Sequence, residues 1–368
     1  MSVDARPATP EAPVPVTVLT GWLGAGKTTL LNRILGGDHG RRYAVVVNEF
    51  GAVGIDHELL VGADEELFEL NNGCVCCTVR GDLIRTLHTL LAHRQRFDAV
   101  IVETTGLADP GPVAQTFFVD PVLRERTRLD AVVTVVDAHH VLERLAESAE
   151  AVEQIAFADQ IVLNKTDLVD ATRLQLVCQR LAALNPTAQV HEAQRGDVPL
   201  ACILGQGGFD LARLEASRLG TAMPRRPSPA PTEMHHVHGP ACAHGDDGHD
   251  HDGHALGHAP TDAPPAPLHD HGIHSIVLST HRPLDALRVQ SWLTELVRAH
   301  GADILRAKGI LDIAGDPRRL VFQSVHMVME GDWQRNWTVH DDRYSRIVLI
   351  GRHLQADAWQ AELEACAA

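Results

Sequence analysis

The sequence predicts an α/β protein: a mostly parallel sheet with helices on both faces, followed by a smaller α+β domain. Three observations predict it. Between residues 14 and 205, five apolar runs alternate with amphipathic helical stretches. Each run ends in polar residues or glycine, the pattern of strands whose C-terminal ends form a binding edge. A second group of strand-like runs follows an abrupt change of composition at about residue 219.

Taken in order, residues 1–13 carry acids and prolines where a secretory signal needs a basic start and an apolar core, and read as a disordered tail. The runs VPVTVLTG, YAVVVNEF, FDAVIVET, LDAVVTVVDA and DQIVLNKTD read as buried strands of one domain spanning 14–218. Residues 219–272 are rich in Pro, His, Asp, Gly and Ala and too poor in aliphatics to bury a core; they read as a linker. From 273 to 368, IHSIVLST, GILDIAG, RRLVFQSVHMVM and SRIVLIGRHL read as strands, with helices near PLDALRVQSWLTELVRAH and ADAWQAELEACAA.

The 368-residue chain has a formal net charge of −16 and only 4% aromatic residues. Such a surface, acidic and short of stacking side chains, argues against nucleic acid as a partner. No apolar run approaches the roughly 18 residues of a bilayer span, so the reading is a soluble cytoplasmic protein without a membrane partner, monomeric or homodimeric. Seven cysteines, an odd number scattered along the chain, fit free thiols and metal ligands better than a disulfide framework.

GWLGAGKTT places Gly21, Gly26, Lys27 and Thr28 in the phosphate-loop pattern GxxxxGK[ST], between an apolar run and a helical one as the mechanism requires. The first domain is therefore expected to be a P-loop domain. The backbone of Gly21, Gly24, Ala25 and Gly26 would wrap the β-phosphate, Lys27 would reach the β and γ oxygens, and the Thr28 hydroxyl would ligate Mg²⁺. Thr29 is placed to contact the α-phosphate.

In LNKTD, the Asp167 carboxylate can accept two hydrogen bonds from the N1–H and amino group of guanine, a pair adenine cannot supply. At about 1.5–3 kcal/mol each, their loss would weaken ATP by roughly two to four decades. GTP is the expected nucleotide, with Asn164 bracing the loop and the Lys165 stem covering the base. Alone, NKTD equally caps a strand; its position after a phosphate loop favours guanine.

FDAVIVETTGLADP ends a strand with Glu103 and places Gly106 three residues later. An acid there can hold Mg²⁺ through water, and a glycine amide can sense the γ-phosphate. An ordinary strand end and turn would look the same. No glutamine stands beside Gly106 to position water, so hydrolysis should be slow and the water-positioning group is unassigned; Lys27, Thr28 and Glu103 are the expected catalytic residues.

NNGCVCC crowds Cys74, Cys76 and Cys77 between VVVNEFGAVGID and ETTG, the two segments expected to act as switches. Soft thiolates select Zn²⁺, Co²⁺ or Cu⁺ over Mg²⁺ and Ca²⁺, and three close ligands leave a fourth position open for handover. A structural site closed by a distant ligand, or buried inert thiols, are the competing readings.

GWLGAGKTTLLNRIL, NEFGAVGID, NNGCVCC, ETTGLADPGPV, VVDA, ADQIVLNKTDL and LNPTAQV together resemble the consecutive signatures of the CobW-type GTPases. RAKGIL, VFQSVH and SRIVLIG are similar to the C-terminal domain of that family. The resemblance implies a P-loop GTPase domain followed by a CobW-like α+β domain. It also implies a GTP-dependent metallochaperone that carries zinc, or in some members cobalt, on the cysteines and inserts it into an acceptor protein. Under it, Gly24, Gly26, Lys27 and Thr28 serve phosphate and Mg²⁺, Cys74, Cys76 and Cys77 serve the transition metal, and Asn164 and Asp167 serve guanine. Asn48, Glu49 and Asp56 match the first switch segment without assigned roles. The competing functions are a metal buffer or store whose nucleotide binding is regulatory or vestigial, and a small-molecule kinase, which the guanine motif disfavours.

The linker carries His235, His236, His238, His244, His249, His251, His254 and His258 in an acidic setting, a composition suited to weak, multisite metal capture or to simple solvation. Cys178, Cys202 and Cys366 lie in amphipathic or apolar runs and read as packing residues. In the last domain His326 and His353 read as strand residues, and Arg306 and Lys308 as either solvated or facing an acidic client.

Overall fold

The structure is a computed structural model that describes residues 12–37, 40–47, 67–69, 77–208 and 272–368. Among these residues seven strands form an all-parallel sheet: β1 (Val14–Thr20), β2 (Tyr43–Val47), β3 (Leu67–Glu69), β4 (Ala99–Glu103), β5 (Thr127–Asp137), β6 (Gln160–Asn164) and β7 (Gln189–Glu192). Their spatial order is β3-β2-β4-β1-β5-β6-β7. The central strands are buried almost throughout, which is why they read as unbroken apolar runs rather than alternating ones. β3 and β7 fall outside the predicted runs, being short and, for β7, largely uncovered by the core.

The crossovers are α1 (Lys27–Leu35), α2 (Cys77–Ala92), α3 (Gly111–Val119), α4 (Pro121–Arg126), α5 (Val141–Glu147), α6 (Ala149–Phe157) and α7 (Ala171–Leu184). Local chemistry sets several of their starts. Asp120, Ser148 and Asp170 cap α4, α6 and α7 by accepting from the amides of Leu123, Ala151 and Arg173.

The second part is a five-stranded antiparallel sheet of order β11-β10-β9-β12-β8, built from β8 (His274–Thr280), β9 (Ile304–Asp312), β10 (Arg318–Val325), β11 (Val328–Asn336) and β12 (Ser345–Gly351). Helices α8 (Ala286–His300) and α9 (Ala356–Ala365) pack on one face around Trp359, Leu293 and Phe322. Asp285 starts α8 by accepting from the amides of Leu287 and Arg288. The other face shares a core with the parallel sheet, bringing Leu305, Val325, Val348 and Ile350 together with Phe157 and Leu181.

Two expectations change here. RRLVFQSVHMVM is a hairpin rather than one strand. His326 takes a left-handed φ of 49° in its turn, with its ring 5.1 Å from that of Phe157, while His353 follows β12 at φ 51°. Arg306 and Lys308 are not at the surface: they are 0% and 4% exposed and both bond Asp159, Lys308 at 2.8 Å. Successive residues of a strand point to opposite faces. Ala307 joins the helix-covered core, so its neighbours turn toward the parallel sheet. Cys366 is buried in the C-terminal core, and Cys178 and Cys202 pack against the cores of the first sheet.

Candidate nucleotide site

β1 runs into a loop whose glycines are required by geometry. Gly21 has φ 139°, and a Cβ there would lie 2.2 Å from the Val135 carbonyl oxygen. Gly26 has φ 110°, and a Cβ there would lie 2.4 Å from Asn164 Nδ2. Only glycine lets the loop pass this close to β5 and to the guanine-side motif. The helix α1 then starts at Lys27, whose Nζ donates to the Gly21 carbonyl at 2.8 Å. Ala25 is buried, Thr28 half-buried and Thr29 exposed.

Asn164 ends β6 and ties two loops together. Its Nδ2 donates to the Ala25 carbonyl at 2.9 Å, and its Oδ1 accepts from the Gly196 amide at 2.9 Å. Lys165 follows in the left-handed region at φ 61°, and its Nζ donates to Asp137 Oδ2 at 2.8 Å. Burial alone would raise the Asp137 pKa. Hydrogen bonds from Lys165, His140 and the His139 amide outweigh it and hold the carboxyl below its ordinary range. Asp167 lies exposed in the short turn Thr166–Leu168.

Glu103 ends β4, is 8% exposed, and pairs in register with Leu19 of β1. The next residue, Thr104, donates from Oγ1 to Thr20 Oγ1 at 2.8 Å. A Cβ on Gly106 would lie 2.7 Å from the Leu23 amide nitrogen, so this loop rests directly on the phosphate loop. A cavity of about 240 Å³ opens beside it, lined among others by Trp22, Leu23, Gly24, Asp137, Arg144 and Lys165.

The structure thus brings Gly21 to Thr29, Glu103, Gly106, Asn164, Lys165 and Asp167 to one edge of the sheet, at the C-terminal ends of β1, β4 and β6. Cys77 is the first residue of α2. Cys74, Cys76, Asn48, Glu49, Asp56 and the histidines from His235 to His258 lie outside the described residues. Among the described residues no group of three or more His, Cys, Asp or Glu side chains is arranged to hold a metal ion, and no helix is long and apolar enough to cross a membrane.

Sequence reasoning missed three residues at this edge. Gly196 anchors Asn164, Asp137 holds Lys165, and Gln154 of α6, 1% exposed, donates from Nε2 to the carbonyls of Gly106 at 3.2 Å and Ala108 at 3.1 Å. The available signal for Gln154 was a polar residue on the buried face of α6, one turn after the buried Ala151.

A parallel α/β sheet with a glycine loop feeding α1 and an Asn-Lys-x-Asp turn on the same edge defines a P-loop GTPase. The chain belongs to the CobW/HypB/UreG family: the description "CobW/HypB/UreG, nucleotide-binding domain" fits residues 15–192, and "Cobalamin synthesis protein cobW C-terminal domain" fits residues 273–367. It is 35% identical to the zinc chaperone YjiA of Escherichia coli, across 95% of this chain and 97% of that protein. It is 32% identical to the zinc chaperone CobW of a Sinorhizobium species, across 93% and 94%. The crystal structure of the Zn(II)-bound YjiA GTPase superposes with a TM-score of 0.68 at 29% identity, covering 97% of this chain and all of that one. The enzyme is accordingly a GTPase that hydrolyses GTP to GDP and phosphate.

Proposed function

We propose that this GTPase is a metallochaperone that carries zinc on Cys74, Cys76 and Cys77 and hands it to an acceptor protein in step with GTP hydrolysis. Cobalt is the second candidate cargo by thiolate chemistry. The observation that carries this reading is topological. The chain leaves β3 at Glu69 and enters α2 at Cys77, so three thiols fall in the crossover after a strand whose C-terminal end shares the edge of the phosphate loop. Metal occupancy and nucleotide state are then linked, each altering the affinity for the other by the same factor. The zinc-chaperone names of the two full-length relatives support the choice of cargo.

Within the nucleotide site, the backbone from Gly21 to Gly26 cradles the phosphates, Lys27 swings from the Gly21 carbonyl to the β and γ oxygens, and Thr29 meets the α-phosphate. Asp167 reads guanine, Asn164 holds the two loops in register, and Lys165 lies over the base. Thr28 and Glu103 offer a hydroxyl and a carboxylate, hard oxygen donors that suit Mg²⁺ and not a soft metal. When bound, Mg²⁺ neutralises charge developing on the β and γ oxygens. We assign 14–218 to the GTPase domain, 219–272 to a linker whose histidines gather metal weakly, and 273–368 to the CobW-like domain.

The test is a competitive zinc titration of apo, GDP-bound and GTP-bound protein, alongside a variant with serine at all three cysteines. Affinity that changes with nucleotide and vanishes in the variant is the expected result. Affinity indifferent to nucleotide would favour the buffering function, and a tight site that survives the serines would remove the cysteine assignment.

A further inference from the structure

We propose that Gln154 is a positioning residue for GTP hydrolysis, acting by holding the carbonyl oxygens of Gly106 and Ala108 away from the γ-phosphate. The proposal rests on the reading that the Gly106 loop meets that phosphate.

Three features of the structure carry it. Gln154 is 1% exposed, and its side-chain amide donates to two carbonyls of a single loop, at 3.2 and 3.1 Å. Its own backbone is fixed as well, because Thr134 Oγ1 donates to the Gln154 carbonyl at 2.8 Å. The loop it grips is the one lying on the phosphate loop, where Gly106 approaches Leu23 too closely to admit a side chain.

A trans peptide is planar, so its N–H points opposite its C=O. With the Gly106 oxygen bound by Gln154 on the α6 side, the following amide, that of Leu107, is directed away from α6. Rotation of this peptide would reverse the two groups and present a carbonyl lone pair where the amide had been. Next to a polyanion, an amide stabilises and a carbonyl repels, and the difference grows as charge develops on the transferring group. Gln154 thus holds the Gly106–Leu107 peptide in one orientation, and through it the adjoining Gly106 amide that the reading above sets at the γ-phosphate. It needs no contact with the nucleotide to do so, which distinguishes it from a glutamine that orients the attacking water.

The test uses the full chain with GTP and Mg²⁺. Gln154→Met keeps the length of the side chain and removes the donor. It is expected to lower kcat about tenfold or more while the affinity for GDP stays within about twofold, a split that general loosening of the fold would not produce. A variant with wild-type kcat, or one that loses GDP and GTP affinity together, overturns the proposal. If Gln154→Met does not fold, Gln154→Leu, close in volume and likewise without the Nε2 donor, gives the same comparison. Amide exchange of residues 105–108 in the wild-type protein separates the two levels of argument. Stronger protection with guanosine 5′-(β,γ-imido)triphosphate than with GDP is expected. Equal protection overturns the reading of Gly106 and the proposal with it, whereas unequal protection with an unchanged kcat in the variant overturns the proposal alone.

Discussion

Two sets of buried ionisable groups show how differently the two sheets use charge. In the parallel sheet, Lys27 opens α1 after the phosphate loop and Glu103 is the last residue of β4, 9% and 8% exposed, on the edge that carries that loop. In the antiparallel sheet, Arg306 and Lys308 sit within a strand, closed off and bonded to Asp159 from the other domain. Burial, with a smaller contribution from Arg306, pushes the Lys308 pKa down against the opposing pull of Asp159. A charge on the loop-bearing edge of the sheet lies where a ligand can reach it. A charge inside a strand is closed off with its carboxylate, and its work is to join domains.

The sharpest way to break this contrast is at the strand end. Lys27→Ala should reduce GTP turnover by about 100-fold or more, since the role proposed for its cation is to meet the transferring phosphate, and should leave the melting temperature nearly unchanged. Steady-state phosphate release with parallel calorimetry checks both. Asp159→Ala should do the reverse. It should cost about 3–5 kcal/mol of stability, because it takes away the carboxylate that two buried cations share, and denaturant unfolding would measure it. A variant as stable as the wild type would show that the cluster is not a joint.

Gly26→Ala tests the nucleotide edge at lower amplitude. The added methyl meets Asn164 and the backbone is held at φ 110°, so a loss of about 1–3 kcal/mol is expected, accompanied by weaker GTP binding in a fluorescence titration. The smallest effect concerns His326, whose pKa is lowered by burial, with Glu153 opposing and Arg352 assisting. The unfolded chain takes up this proton near pH 6.5, before the folded chain does. Stability should therefore fall as pH drops below about 6.5 toward the folded value. Asp109 and Glu153, both raised mainly by burial, work in the opposite direction at lower pH. A His326→Gln protein should lose less stability between pH 7 and 5 than the wild type in urea titrations.

The contrast also explains what could be read from the sequence. The five central parallel strands were legible because covering both faces of a sheet leaves few polar positions to confuse the pattern. The phosphate-loop glycines were legible because three positive φ values in one loop restrict it to a recognisable spacing. The hairpin at residues 326 and 327 was hidden, since a histidine rather than Gly or Asn supplies its left-handed turn residue. Arg306 and Lys308 were misread because their carboxylate lies 147 and 149 residues earlier in the chain. Gln154 escaped for the same reason: a side chain that serves a loop 48 residues away leaves no local signature.

Strand β6 has Asp159 immediately before its first residue and Asn164 as its last. The same short beam is therefore pinned by the C-terminal cations at its base and grips the phosphate loop at its tip. A gene cut anywhere between codons 209 and 271 would leave one product with an uncovered apolar floor and a bare acid, the other with two stranded bases. Each piece is therefore expected to need co-expression of the other to stay in solution.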